Sequence, residues 1–452
     1  MQMEKGIDKV VMTLRVMILD KPGYFGKFAS AIGCAGGSLG DIKLVRYGNE
    51  YNTRDVTIFA DDEAQFQRVR EELGKVEGIV VSEIIDPVLE LHRGGKIGVK
   101  SRVKVDSIST VRKIYTPGVA KVCRIIEADP EMAHKYTAIY NTVAIVTNGT
   151  AILGLGDIGP VAGMPVMEGK AAIFDTQVGV NGVPILIRSK DPEEIIRTVA
   201  AIAPTFGAIQ LEDIKAPECF RVEDRLSAML DIPVLHDDQH GTSVVVLAVL
   251  FNIADQVGVQ VKDDTVGLVG LGAAGIGIAK LFKAYGVRKL IGTDINPGAA
   301  EIFAKEGGTP VSLAEVMATA DIVIATTGKA GLIRKETVRK GQVILALSNP
   351  NPEITVDDAR SAGASFAMDG RSVNNALAFP GLFRGALNAR AGKINNRMLF
   401  SAAKAIKSCT PPGEMLPSIL DRDMHQRVAE AVERAAFETG VAAPRTEEPE
   451  EK

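Results

Sequence analysis

A chain of 452 residues is too long for one hydrophobic core, so two or three domains are expected; 46% hydrophobic and 24% charged residues exclude a disordered or fibrous chain. The net charge is −4 and no basic stripe occurs, which argues against a nucleic-acid partner. The longest apolar runs, around Ser243–Ala254 and Gly267–Ala279, fall short of the roughly 18 residues of a membrane span, so no membrane role is expected.

The chain opens Met1-Gln-Met-Glu-Lys-Gly6, without the apolar core of a signal peptide. Four scattered cysteines (Cys34, Cys123, Cys219, Cys409) lack metal spacing and read as reduced thiols, so a cytoplasmic location is expected. Val11–Leu19 alternates like a strand, Asp20-Lys-Pro-Gly23 is a turn, and Tyr24–Ala35 is helix-like. Ser38–Tyr47 and Thr53–Ala60 read as strands. Asp61 is expected to cap an amphipathic helix with Phe66, Val69, Leu73 and Val76 on one face, and Gly78–Ile85 is a last strand. The order βαββαβ is that of the ferredoxin-like fold. The Asp20-x-Pro22-Gly23 turn followed by a helix resembles that of ACT domains, which bind amino acids or similar metabolites where modules associate. The resemblance implies a regulatory ligand near Asp20, Pro22 and Gly23; the alternative is an association module without a ligand.

Pro87–Val105, rich in Gly and Lys/Arg, reads as a linker. Beyond it, strand-like runs at Thr142–Val146, Ala171–Phe174, Pro184–Leu186 and Ala208–Leu211 alternate with helical segments such as Pro192–Ala203, predicting a largely parallel sheet. A second αβ pattern runs from about 251 to 400, and Arg422–Glu438 is a helix expected to pack on the body. Ala442–Lys452, with Pro, Arg and four Glu, reads as a disordered tail. The expected division is therefore 1–88 ferredoxin-like, 89–250 an αβ domain with a parallel sheet, 251–440 a Rossmann-type domain with a C-terminal helix, and 441–452 a tail.

The spacing GxGxxG occurs twice. Gly270-Leu-Gly272-Ala273-Ala274-Gly275 follows a strand, Thr265–Val269, and opens a helix; a further strand, Lys289–Thr293, leads to Asp294. That is a complete dinucleotide fingerprint, with the helix N-terminus facing the pyrophosphate. Gly154-Leu-Gly156-Asp-Ile-Gly159 runs into Pro160 and more glycine with no immediate helix, and reads as a loop beside the active site. Asp294 can accept hydrogen bonds from the ribose hydroxyls of NAD and would repel the 2′-phosphate of NADP. No Arg or Lys follows it in Ile295-Asn296-Pro297, so NAD is expected over NADP. Ala320–Gly328, containing Thr326, and Ile344–Leu347 followed by Ser348-Asn349-Pro350 resemble the later Rossmann strands beneath a nicotinamide ring.

Two acidic pairs stand at predicted strand ends: Glu212-Asp213 after Gly207–Leu211, and Asp237-Asp238 within Leu235–Ser243. Adjacent strand residues face opposite ways, so such pairs converge on one ligand only where the chain leaves the strand. A hard divalent cation, Mg or Mn, suits oxygen ligands of this kind. Histidines 236 and 240 flank the second pair and are expected to make supporting hydrogen bonds. The cleft between the two αβ domains should also hold Tyr115, just before a Pro-Gly turn, Lys170, ahead of an apolar strand, and the Asn374-Asn375 turn.

Seven motifs, from Tyr115-Thr-Pro-Gly-Val-Ala120 and Leu153-Gly-Leu-Gly-Asp157 through Glu168-Gly-Lys170, Leu211-Glu-Asp213 and Asp237-Asp-Gln-His-Gly-Thr242 to Ser348-Asn-Pro350 and Asn374–Gly381, appear in the order shown by malic enzymes of the small prokaryotic type. The resemblance runs from about residue 95 to 435. It implies oxidative decarboxylation of (S)-malate to pyruvate and CO2 with a divalent metal and NAD(P), in a homodimer or homotetramer. Hydride loss from C2 needs a base for the hydroxyl proton, for which Lys170, its pKa lowered near a metal and out of water, and Asp237 both remain candidates. Glu212, Asp213 and Asp238 would hold the metal, and Tyr115 resembles the family's proton donor at C3. Asn349 and Asn375 match its substrate amides. One departure is Thr150-Ala151, where the larger malic enzymes carry an arginine for a substrate carboxylate; another cation, nearby or from a neighbouring subunit, must serve.

Two rivals were weighed. An amino-acid dehydrogenase also pairs a lysine with a C-terminal Rossmann domain, but has no use for four acids at two strand ends. A metabolite sensor that kept the fold and lost the chemistry would not need Tyr115, Lys170 and all three metal ligands together.

Overall fold

The computed structural model describes residues 10–152 and 154–444, and the chain divides between Gly98 and Val99 into two compact units. In the first, β1 (Val10–Leu19), α1 (Tyr24–Cys34), β2 (Ser38–Arg46), β3 (Tyr51–Ala60), α2 (Glu63–Gly74) and β4 (Ile79–Ile85) form an antiparallel sheet of order β2-β3-β1-β4 with two crossover helices. This is the ferredoxin-like topology expected from the alternation. Leu14, Val16 and Ile18, two apart on β1, share a core with Phe28 and Ile32 of α1 and Phe66, Val69 and Leu73 of α2, three or four apart. The cap of α2 is Asp62 rather than Asp61: its carboxylate accepts from the Gln65 N–H, while the Asp61 N–H donates to the Gln65 side chain. The segment read as a linker opens with a six-residue helix, α3 (Pro87–His92), capped by Asp86.

The second unit starts with α4 (Ile108–Ile114), α5 (Val119–Ala128) and α6 (Ala133–Tyr136). There follow β5 (Thr142–Thr147), α7 (Pro160–Val178), β6 (Asn181–Leu186), α8 (Pro192–Ile202), β7 (Ala208–Leu211), α9 (Glu218–Met229) and β8 (Val234–His236), whose strands make a parallel sheet of order β6-β5-β7-β8. The expected strand at Ala171–Phe174 does not exist. It lies within α7, which Pro160 opens directly after the Gly154–Gly159 loop and which Gly179 ends at φ 64°. Met167, Lys170, Ala171 and Phe174 are buried there at spacings of three and four, a helical repeat hidden inside a run that is apolar on both sides. Lys170 is therefore a mid-helix residue.

α10 (Asp237–Val257) is a 21-residue helix, longer than the apolar run suggested, and by length and composition it could cross a membrane. Here it is the central core helix, with Val244–Phe251 buried throughout. The expected boundary at residue 250 falls inside it. Next come β9 (Thr265–Val269), α11 (Ala273–Tyr285), β10 (Lys289–Thr293), α12 (Pro297–Lys305), β11 (Thr309–Pro310), α13 (Leu313–Thr319), β12 (Ile322–Ala325), β13 (Val343–Ala346), α14 (Val356–Ser361) and β14 (Phe366–Asp369). The strands are all parallel in the order β11-β10-β9-β12-β13-β14, the doubly wound dinucleotide-binding topology.

The chain then returns. Of α15 (Phe379–Asn388), α16 (Asn396–Ser408) and α17 (Arg422–Glu438), the first and last pack on α7 and the middle one on α10. Phe174 of α7 makes edge-to-face contacts with Phe379 at 4.9 Å and Phe383 at 5.6 Å, so one core spans both parallel sheets. Of the expected tail, Ala443 and Pro444 are bonded to the body through Ala389 and Arg390; residues 445–452 lie outside the described residues.

Candidate active site

In open parallel sheets the C-terminal strand ends face the ligand crevice. β7 and β8 are neighbours, so Glu212-Asp213 and Asp237-Asp238 leave the sheet side by side. The chain turns sharply at Asp213, which adopts φ 52°, a left-handed conformation uncommon outside glycine. Two contacts hold it there: the Asp213 N–H donates to Asp238 Oδ2 at 2.9 Å, and its carbonyl accepts from Ala151 N–H at 3.0 Å. Glu212, Asp213 and Asp238 each present an oxygen within 4.8 Å of the others.

Lys170 reaches this cluster from α7. Its ammonium donates to Asp237 Oδ2 at 2.5 Å and to Asn375 Oδ1 at 3.1 Å, and lies 3.1 Å from Glu212 Oε1. Its three N–H bonds therefore have three acceptors, while the Phe379 ring centroid sits 4.6 Å away. Burial opposes the lysine charge, but Asp237 and Glu212 outweigh burial and raise its pKa. Asp237 and Glu212 thus favour the ammonium form of Lys170.

The pKa values of the acids are raised as well, which favours their neutral forms. Burial, reinforced by Asp238 and Glu212, pushes the Asp213 carboxyl up to about 9. Burial also raises Asp237 and Asp238 to about 6, and raises Glu212. Asp213 Oδ2 is buried without a hydrogen-bond partner among the described residues. Three converging oxygen ligands, an orphaned carboxylate oxygen and surplus negative charge fit a hard dication.

The flanking histidines differ. His240 Nε2 pairs with the buried Glu223 at 2.9 Å, and Glu223 also accepts from the His236 N–H at 2.7 Å and from Gln239 Nε2 at 2.9 Å. His240 thus supports the first turn of α10. The His236 ring, expected to do the same, is fully buried with neither nitrogen hydrogen-bonded. Glu223 was missed in the sequence, though its place on the apolar face of α9, between Cys219 and Leu226, was a usable signal. Gly241 explains the glycine of Asp-Asp-Gln-His-Gly: a Cβ there would lie 2.0 Å from Asp237 Oδ1.

The Rossmann half brings its own residues to the crevice. Gly272 caps α11, which Ala273 and Ala274 begin; Gly270 has φ 95°, and a Cβ on Gly275 would meet the Gly270 carbonyl at 2.1 Å. The Asp294 carboxylate accepts from Leu271 N–H at 2.7 Å and Asn296 N–H at 2.8 Å, on the wall of a cleft of about 340 Å³. Thr326 Oγ1 donates to the Gly270 carbonyl at 3.2 Å, and Asn349 Nδ2 to the Gly370 carbonyl at 3.0 Å. Gly154 lies near Asn349, a Cβ on it falling 3.9 Å from the Asn349 carbonyl, so the first glycine loop borders this crevice. Thr150, at the arginine departure, is buried and accepts from Lys215 N–H at 3.0 Å.

Tyr115 is not brought to the cluster. It ends α4, is 69% exposed, and its phenol makes no hydrogen bond among the described residues. Asp20, Pro22 and Gly23 belong to the first unit, where Gly23 takes φ 89° at the start of α1 and the Asp20 N–H donates to the Glu50 carbonyl at 2.8 Å.

Residues 98–191 and 188–227 match the malic enzyme N-terminal domain, and residues 367–437 match the malic enzyme NAD binding domain. Residues 242–340 match the NAD binding domain of D-isomer specific 2-hydroxyacid dehydrogenases. NAD-dependent malic enzyme 1 of Bacillus subtilis is 52% identical over 95% of this chain and 98% of its own, and the NAD-dependent malic enzyme of Geobacillus stearothermophilus is 42% identical over 95% of each. The malic enzyme structure from Pyrococcus horikoshii superposes with a TM-score of 0.75 at 38% identity, covering 79% of this chain and 92% of its own. That of the NAD-dependent malic enzyme from Thermotoga maritima gives 0.72 at 38%, covering 76% and 98%. Sequence identity of this extent, over nearly the whole length, means that the chain belongs to the malic enzyme family and is an NAD(P)-dependent oxidoreductase.

Proposed function

We propose that the protein catalyses the oxidative decarboxylation of (S)-malate to pyruvate and CO2 with NAD as preferred acceptor and a divalent metal, Mg or Mn, held by Glu212, Asp213 and Asp238. The observation that carries this reading is the seat of Lys170, hydrogen-bonded at once to Asp237 and to Asn375 beside those three acids. When bound, the dication supplies a Lewis acid for the substrate oxygens and offsets the carboxylate charge.

As hydride leaves C2, the hydroxyl proton passes to the Lys170–Asp237 pair, accepted by the amine of a neutral Lys170 or by the Asp237 carboxylate. Asn349 and Asn375 orient the substrate carboxylates. Tyr115 is assigned the return of a proton to C3; this role rests on the Tyr115-Thr-Pro-Gly motif and not on a contact. Gly270, Gly272, Ala273, Ala274 and Gly275 receive the pyrophosphate, and Asp294 the adenosine ribose.

The first unit acts as a regulatory module that binds a small metabolite near Asp20, Pro22 and Gly23, and the chain works as a homodimer or homotetramer. The test is a spectrophotometric assay of NADH formation from malate with Mn, with each nicotinamide cofactor, repeated with a panel of amino acids and central metabolites. Turnover that survives EDTA would refute the metal role; turnover unmoved by every metabolite would count against the regulatory one.

A further inference from the structure

Glu353 is fully buried, and no Lys or Arg pairs with it among the described residues. A carboxylate in that position is costly unless strong hydrogen bonds compensate. Four do. Oε1 accepts from the Thr327 N–H at 2.7 Å, the Thr327 hydroxyl at 2.8 Å and the Ser348 hydroxyl at 2.5 Å, and Oε2 accepts from the Ser348 N–H at 3.3 Å.

These partners lie on two different loops. β12 and β13 run level as far as the pair Ala325–Ala346, and the Leu347 N–H still donates to the Ala325 carbonyl at 2.8 Å. Beyond that point the ladder stops, and the Glu353 carboxylate takes over as acceptor for one N–H of each loop. Ser348 completes the closure, its hydroxyl oxygen accepting from the Gly328 N–H at 2.7 Å. The residues so held flank Thr326, bonded to the turn at Gly270, and Asn349, bonded to the turn at Gly370.

We propose that Glu353 is a positioning residue for the nicotinamide end of the cofactor site: its carboxylate locks the exits of β12 and β13 together so that Thr326 and Asn349 face cofactor and substrate in one fixed arrangement. The inference rests on the assignment of Thr326 and Asn349 to that site. Glu353→Gln preserves the shape and one acceptor oxygen but turns an amide N–H toward the Ser348 N–H, opposing two donors.

The experiment compares wild type, Glu353→Gln, Ser348→Ala, the double variant and Asn349→Ala by steady-state kinetics, NADH binding by fluorescence, and Mn titration. Expected for Glu353→Gln is a rise of about tenfold or more in the NAD KM and NADH Kd, with Mn affinity within about twofold of wild type. The double variant is expected to be little worse than the poorer single one, since both cut the same clamp. A folded Glu353→Gln with NAD and NADH constants within about twofold of wild type overturns the proposal, as does an equal loss of Mn affinity, the mark of a general structural defect. If Asn349→Ala impairs malate or NAD constants and Glu353→Gln does not, the clamp alone fails; if Asn349→Ala leaves both unchanged, the underlying site assignment fails.

Discussion

Lys170 and Asn375 are 205 residues apart in the chain and 3.1 Å apart in space, Nζ to Oδ1. The bond joins α7, beside the first parallel sheet, to the turn that enters α15 after the Rossmann sheet. It exists because α15 and α17 come back to pack on α7, and so the catalytic cluster depends on helices that no local pattern assigns to it.

Lys170→Ala should lower kcat by several orders of magnitude while Mn still binds, because the variant loses a proposed proton acceptor and keeps the three proposed metal ligands. Kinetics and a Mn titration on the same preparation check this. Near-wild-type turnover would remove Lys170 from the proton path.

Asp238→Ala should weaken Mn binding by at least about tenfold, since it deletes one proposed oxygen ligand and also the acceptor that holds the Asp213 N–H. An unchanged Mn titration would reject Asp238 as a ligand.

Metal removal should destabilise the protein more as pH rises. A carboxyl whose folded pKa is raised, as that of Asp213 is to about 9, costs nothing below its unfolded value, progressively more as pH climbs from there toward the folded one, and no more beyond it. A bound dication offsets that cost. The Tm difference between Mn-saturated and EDTA-treated protein should therefore widen between pH 6 and pH 9; a constant difference would contradict the charge balance inferred for the cluster.

Gly241→Ala should reverse the usual sign of its class. In an ordinary helix interior the change gains about 1 kcal/mol. Here the new methyl would fall 2.0 Å from Asp237 Oδ1, so the Asp237–Lys170 pair must shift. A lowered Tm and a lowered kcat are expected, and a more stable variant of full activity would show that the pair is not held as described.

Replacing Asp294 with Ser and Ile295 with Arg should move cofactor preference toward NADP. The carboxylate that repels a 2′-phosphate goes, and a cation arrives on a fully exposed side chain. A wild-type enzyme that already favours NADP would overturn the argument from Asp294.

Much of this was legible in order along the chain. The two-residue period of β1 and the three-to-four spacing of α2 foretell the first unit. Strand, glycine turn, helix and Asp294 foretell the nucleotide fold, because each is a local steric requirement. The two acidic pairs could be placed at strand ends, because a strand-like run precedes each of them. The reading failed at Ala171–Phe174, where a helix buried on several sides has no polar face to show its period, and it did not reveal that Lys170 meets acids 42 and 67 residues away, 212 − 170 and 237 − 170.

Residue types and their spacing were enough to indicate the parallel αβ fold and the family, the first from backbone sterics and the second from seven motifs in order. Only the tertiary structure decided that Lys170 meets Asp237 and Glu212, that Glu223 and Glu353 are buried anchors, and that Tyr115 stands apart from the cluster. Those outcomes depend on distance and burial, which set electrostatic energies steeply and which a linear chain does not contain until it has folded.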